Sequence, residues 1–175
     1  MSKSYGNPQQ TALAYIAGII DGEGCLRIVK AMPYREDMVN PSYSPSIQVG
    51  MKNREVLEFC KQYFGGSIYK ERTRYWVYRW RINSKRQVIN CLKKILPWLI
   101  VKKEEAEVLL DFCKKVKPWF KGGKPMTDNE LAFREDFYQK MKELKKCEVA
   151  ASTERKDLET ENDSQNSDGN TERAE

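Results

Sequence analysis

Apolar and polar positions along the chain fall into alternating helical and extended rhythms. Asn7-Pro8 is a helix start, with asparagine as the cap and proline in the first turn. The apolar pattern that follows stays helical to about Asp21 and stops at the glycines around it. Within it Ala14, Gly18 and Gly22 recur every fourth position and line one stripe, which lets another helix backbone approach closely. Cys25–Met32 then alternates as a strand, with Leu26, Ile28 and Lys30 on one face and Arg27, Val29 and Ala31 on the other. Ser44–Met51 alternates again, sending Ile47, Val49 and Met51 inward and Ser46, Gln48 and Gly50 outward.

Asn53 caps a second helix, whose Val56, Leu57, Cys60, Tyr63 and Phe64 share one face before Gly65-Gly66 ends it. Ser67–Arg72 and Tyr75–Asn83 form a second strand pair. In the latter, Trp76, Tyr78, Trp80 and Ile82 point inward while Val77, Arg79 and Arg81 point outward. Ser84-Lys-Arg-Gln87 is a capping box opening a third helix, which Pro97 interrupts. Lys103–Lys117 makes a fourth helix through Ala106, Leu109, Leu110, Cys113 and Val116. After a Pro118–Pro125 linker, Thr127-Asp-Asn-Glu130 opens a fifth, carrying Phe133, Phe137, Met141 and Leu144. The order αββαββα followed by two helices predicts an α+β fold: a four-stranded antiparallel sheet with helices on one face. Its open face is expected to carry Arg27, Ser46, Gln48, Lys70, Arg72, Arg79 and Arg81. Residues 1–147 are expected to form one domain, and 148–175, without periodicity, an acidic disordered tail.

Charge changes this picture. The net +6 conceals a tail with nine acidic and three basic residues, and a body with 28 Lys and Arg against 16 Asp and Glu. A body this basic and rich in tyrosine and tryptophan fits a polyanionic partner, with solubility alone as the plain alternative. The chain has no histidine, which excludes a histidine-based nuclease, a Ser-His-Asp triad and an ordinary zinc enzyme. Its five cysteines are scattered; Cys60, Cys91 and Cys113 read as core thiols in a reducing compartment. No apolar run reaches the ~18–20 residues of a membrane span, and Met1–Gln10 lacks the hydrophobic segment of a signal peptide. A free-standing intracellular protein without a membrane partner is expected.

Candidate chemistry gathers at the end of the first helix. Asp21 and Glu23 sit where the helix dipole disfavours a carboxylate by up to ~1 kcal/mol, and two acids so placed point to a nearby cation. Ile16-Ala-Gly-Ile-Ile-Asp-Gly-Glu-Gly24 resembles the signature of the LAGLIDADG homing endonucleases. The αββαββα order over Gln9–Leu96, the Phe64-Gly-Gly-Ser-Ile68 turn and the Pro97-Trp-Leu-Ile-Val-Lys102 stretch resemble the single-motif, homodimeric branch. The resemblance spans Leu13–Phe120.

It implies an enzyme that cuts both strands of double-stranded DNA across the minor groove, leaving short 3′ overhangs. A C₂ homodimer implies a long pseudo-palindromic site. The implied cofactor is Mg²⁺, with Mn²⁺ or Ca²⁺ able to replace it for binding. Glu23 stands where the family places its metal-binding acid, more commonly Asp, and the Gly22 carbonyl would be a further ligand. Lys102 falls where the family has a basic residue near the scissile phosphate. Met51 stands where the family often has Gln, with Gln48 and Arg54 as substitutes for organising water. Ala14, Gly18, Asp21 and Gly22 are the expected dimer interface, Asp21 hydrogen-bonding backbone there rather than holding metal. The outward sheet residues are the expected DNA contacts, Arg and Gln reading guanine and adenine. An RNA splicing maturase with intron RNA as partner, a non-cleaving DNA-binding protein and a non-specific nucleic-acid-binding dimer stay open on the same fold.

Overall fold

The side chain of Asn7 accepts the Gln9 N–H at 3.0 Å and starts helix α1 (Pro8–Glu23), as the Asn-Pro pair predicts. The structure, a computed structural model, describes residues 7–33, 40–72, 76–117 and 126–146. The expected strand start at Tyr75, the linker over 118–125, Cys147 and the acidic tail lie outside the described residues. α1 runs two residues past its expected end, so Asp21, Gly22 and Glu23 belong to its last turn. The stop is Gly24, whose N–H donates to the Ile20 carbonyl. A Cβ there would lie 2.4 Å from that same oxygen, so the chain can leave the helix at this angle only through glycine.

Strands β1 (Gly24–Ala31) and β2 (Ser42–Met51) follow, then α2 (Arg54–Phe64), β3 (Ser67–Arg72), β4 (Trp76–Ile82), α3 (Lys85–Ile95) and α4 (Lys103–Lys115). A 3₁₀ turn, Leu96–Trp98, joins α3 to the segment before α4, where Pro97 was expected to interrupt the helix. A fifth helix, α5, spans 128–146. The sheet is antiparallel in the order β1-β2-β4-β3, with β2 and β4 at its centre. Leu26, Ile28, Ile47, Val49, Trp80 and Ile82 are buried on one face, together with the inward stripes of α1 to α4. Trp80 is fully buried and donates its indole N–H to the Gly65 carbonyl at 2.8 Å. The neighbouring Gly66, at φ +91°, is held so tightly that a Cβ would meet the Arg81 carbonyl at 2.4 Å. Of the described residues, those up to Met141 belong to one compact unit and 142–146 fall outside it. No helix among the described residues is long and apolar enough to cross a membrane.

Three local expectations are corrected. The capping box at Ser84 does not form: Ser84 makes no side-chain capping bond, and the Gln87 side-chain amide, which would return to the Ser84 N–H, lies against Gly65. Trp76 is not inside: it is the first residue of β4, paired with the last residue of β3, and its ring is about half exposed, with Lys70 Nζ 4.4 Å from its centre. Most consequentially, β3 pairs Lys70 with Tyr78 and Arg72 with Trp76. Directly paired residues share a face, so Lys70 and Arg72 lie on the helix side, and Ser67, Tyr69 and Glu71 take the open side beside Arg81, Arg79 and Val77.

The end of the first hairpin is clasped by α5. Glu135 accepts from Lys30 Nζ at 2.8 Å and from the Tyr43 hydroxyl. Those two donors hold its carboxyl down at about 2. A carboxylate depressed in the folded chain stabilises it above its ordinary titration range, and the contribution is lost only as pH falls from about 4.5 toward 2. Cys60, Cys91 and Cys113 are buried free thiols, as expected. Burial pushes Cys60 up to about 11 and Cys113 up to about 12, so they stay protonated core groups.

Candidate active site and nucleic-acid interface

α1 has two unlike faces. Ala12, Ile16, Ala17 and Ile20 are buried against the sheet and α3. The stripe Ala14, Gly18 and Gly22 runs along the opposite side. Gly18 and Gly22 are exposed, and a Cβ on either would meet nothing within 4 Å. The chain's own helices therefore make no use of these two glycines. Beside the stripe stands a turn with strongly exposed apolar side chains, Ile100 at 86% and Val101 at 63%.

Asp21 ties that turn to the helix. Its Oδ2 accepts the Ile100 N–H at 2.8 Å and its Oδ1 the Lys102 N–H at 3.0 Å. Lys102 is the N-cap position of α4 and offers no capping side-chain bond of its own, so Asp21 caps that helix from a distance. The backbone-binding role expected of Asp21 is thus met inside its own chain rather than across an interface. In return the buried Lys102 side chain donates from Nζ to the Asp21 carbonyl, one of the last-turn carbonyls that lack an intrahelical donor. Replacing Asp21 by Ala is expected to lower stability by roughly 1–3 kcal/mol, since two N–H bonds to a charged acceptor are lost; Asn should restore part of it. Denaturant unfolding measures this, and an Ala variant as stable as the native chain would show the tie to be inert.

Glu23 is exposed at the end of α1, and no described side chain engages it. Asp21, Gly22, Glu23 and Lys102 are accordingly gathered at one helix end, with one carboxylate left outward. Among the described residues, no three Asp, Glu, His or Cys side chains cluster to hold a metal ion. A Glu23 carboxylate and last-turn carbonyls are oxygen donors of the kind Mg²⁺ takes, together with water and phosphate, and so the residues present fit half of a shared site.

The sheet's open face is built around Gln48. Its Oε1 accepts from Arg27 Nη2 at 3.2 Å and from Arg81 Nε and Nη2 at 3.2 and 2.9 Å. Arg81 Nη2 also donates to the Tyr69 hydroxyl at 2.7 Å. Ser46 and Gln48 lie on the face expected of them but are buried, with the Gln48 side-chain oxygen held between the two guanidinium groups. Ser46 Oγ and Arg27 Nε are buried with no hydrogen-bond partner among the described residues. Arg79 is paired with Glu71. The structure thus brings together Arg27, Ser46, Gln48, Arg79 and Arg81, and leaves Lys70 and Arg72 on the other side. Tyr69 and Glu71 belong to the face and were missed. Their signal was available in Ile68, an apolar residue whose inward position places its odd-numbered neighbours outward. Neither substitute for the glutamine at Met51 is idle: Gln48 is held as described, and Arg54 pairs with Glu58 at 2.9 Å.

Comparison with known proteins agrees with this geometry. A family model described as LAGLIDADG endonuclease matches residues 16–116. Among solved structures, the homing endonuclease I-CvuI, in complex with the I-CreI target in 2 mM Mg with the DNA uncleaved, is similar at TM-score 0.64 and 21% identity, over 78% of this chain and 83% of that one. The archaeal intron-encoded I-Vdi141I, complexed with DNA, is similar at TM-score 0.63 and 22% identity, over 78% and 85%. I-TnaI is similar at 0.54 and 19%, over 77% and 93%. At these identities the likeness shows the fold. No curated protein sequence matches the chain.

Proposed function

Because this chain belongs to the LAGLIDADG endonuclease family, we propose that it is a site-specific DNA endonuclease that works as a homodimer, each chain giving one Glu23 to a shared centre. The observation that carries this reading is the α1 stripe. Gly18 and Gly22 leave open space on the face opposite the core, next to an exposed acid that joins no metal-holding cluster among the described residues. Two copies crossing at this stripe bring two Glu23 carboxylates together, and a two-fold dimer asks for a pseudo-palindromic duplex.

In this arrangement the open sheet face binds the duplex through its arginines, and the two α1 ends meet near the scissile phosphates. Glu23 and the Gly22 carbonyl would hold a divalent ion, which when bound supplies charge neutralisation on the phosphate and a lowered pKa for an attacking water. Lys102, fixed by its bond to the Asp21 carbonyl, holds a positive charge at the same helix end, where it complements both the helix dipole and a phosphate. Asp21 positions Lys102 and touches no substrate.

The test is incubation of the purified protein with randomised duplex DNA and Mg²⁺, followed by mapping of the ends. Discrete staggered double-strand cuts within a pseudo-palindromic sequence are expected. Retention of duplex without cutting would reassign the chain to DNA binding alone, and preference for folded RNA would reassign it to splicing.

A further inference from the structure

Gln48, at the centre of the sheet's open face, has had one half of its hydrogen-bonding capacity taken up by the fold. A free glutamine offers a donor and an acceptor side by side and matches the N7 acceptor and N6 donor of adenine. Gln48 is not free. Arginine can only donate, so the side-chain oxygen of Gln48 must be the atom that faces Arg27 and Arg81, and three N–H groups converge on it. The remaining atom, Nε2, has no hydrogen-bond partner among the described residues. The only side-chain atoms there that are both fully buried and unpartnered are Arg27 Nε and Ser46 Oγ, so Nε2 keeps contact with solvent although Gln48 as a whole is 8% exposed.

The surrounding groups have the same polarity. Arg27 and Arg81 carry only N–H groups. The Tyr69 hydroxyl spends an acceptor position on Arg81 Nη2 and keeps its proton to give. Cross-strand pairing sets Gln48 against Arg81 and Arg27 against Ser46 on the β1, β2 and β4 strands. Ser46 is 2% exposed and lies at the floor of this cluster rather than at its rim. Glu71, an anionic acceptor on this face, is paired with Arg79.

We propose that Arg27, Gln48, Arg81 and Tyr69 form a donor-only reader, and that each half-site presents guanine to it. Of the four major-groove edges, guanine alone shows two acceptors, O6 and N7, with no donor; adenine's N6 and cytosine's N4 would oppose N–H groups with N–H groups. Gln48 therefore reads as a donor held in place by two arginines, not as the adenine-specific amide its residue type suggests. This rests on the open sheet face lying on duplex DNA.

Gln48→Glu provides the sharpest test. The carboxylate has the same shape, keeps one oxygen between the two guanidinium groups and turns the outward N–H₂ into an acceptor. Preferred sites would be selected from randomised duplexes by the native chain without divalent metal, so that bound DNA stays intact. Selection would be repeated with Gln48→Glu and Gln48→Ala, with circular dichroism confirming that each is folded. Guanine is expected at a symmetric position of each half-site for the native chain. In Gln48→Glu that position should move to cytosine or adenine, with guanine disfavoured by about tenfold or more; in Gln48→Ala the preference should flatten. Adenine selected at a position that only Gln48 controls would overturn the donor-only reader. So would a consensus unchanged in both variants. Failure of the native chain to enrich any duplex would instead overturn the DNA-binding reading on which the reader rests.

Discussion

Glu23→Gln is expected to bind duplex DNA as the native chain does and to cut it about a thousandfold more slowly or worse, which is about 4 kcal/mol on the barrier. The substitution preserves shape and removes only the anionic charge that a divalent ion needs from the helix end. Glu23 is exposed and engages no described side chain, so no fold-stabilising contact is lost with it. Its removal also takes one negative charge from a surface that must meet a polyanion, and affinity should be unchanged or slightly increased. Glu23→Asp, one methylene shorter, keeps the charge and should retain much of the activity. Parallel cleavage in Mg²⁺ and equilibrium binding at fixed salt separate the two effects. A Glu23→Gln protein that cuts at the native rate would remove Glu23 from the active centre. One that neither binds nor cuts would show Glu23 to be a DNA contact or a folding determinant.

How far the sequence could carry this site depends on whether each feature is local. The caps at Asn7 and Asn53 are set by residues two positions apart, and both form as read. The two hairpin-plus-helix units and the amphipathic faces of α2 and α4 follow from periodicity. The end of α1 does not, because Gly22 is a surface residue of the helix and Gly24 is its terminator. Distinguishing them needs the contact with Ile20 that only the folded chain shows. Period-two alternation assigns faces within one strand but not between strands, since a one-residue difference in register inverts a strand. That is how Lys70 and Arg72 came to be expected beside Arg79 and Arg81, when the partners of Arg79 and Arg81 are Tyr69 and Ser67. The same limit hides the Gln48 cluster: Arg27 and Arg81 reach it from strands on either side, and neither is near it in the chain. The awkward place of Asp21 on the helix dipole pointed to a cation, and its backbone-binding role was expected only with the family resemblance and at a dimer interface. Its partners at 100 and 102 were not legible, because they are 79 and 81 residues away.

The second large effect concerns assembly, and its sign in the single chain is opposite to its sign in the dimer. Gly18→Leu places a branched side chain in open space as far as one chain is concerned. It also replaces the poor helix former glycine in the middle of α1 with a good one, a gain of roughly 0.5–1 kcal/mol. The isolated chain should therefore be no less stable, and its unfolding at high dilution should move slightly to higher denaturant. Across two chains the same leucine stands where the backbones must approach, and overpacking a close helix crossing has no side chain to displace at glycine. Gly18→Leu is expected to sediment as a monomer at concentrations where the native protein is a dimer, and to lose double-strand cutting because each particle then holds one Glu23. Gly18→Ala should fall between the two. Folding and assembly are read by different instruments, so a variant that simply misfolds is recognised by its lost unfolding transition. A folded Gly18→Leu chain that still sediments as the native dimer would place the two-fold contact elsewhere. The exposed turn at Ile100 and Val101 would then be the next surface to alter.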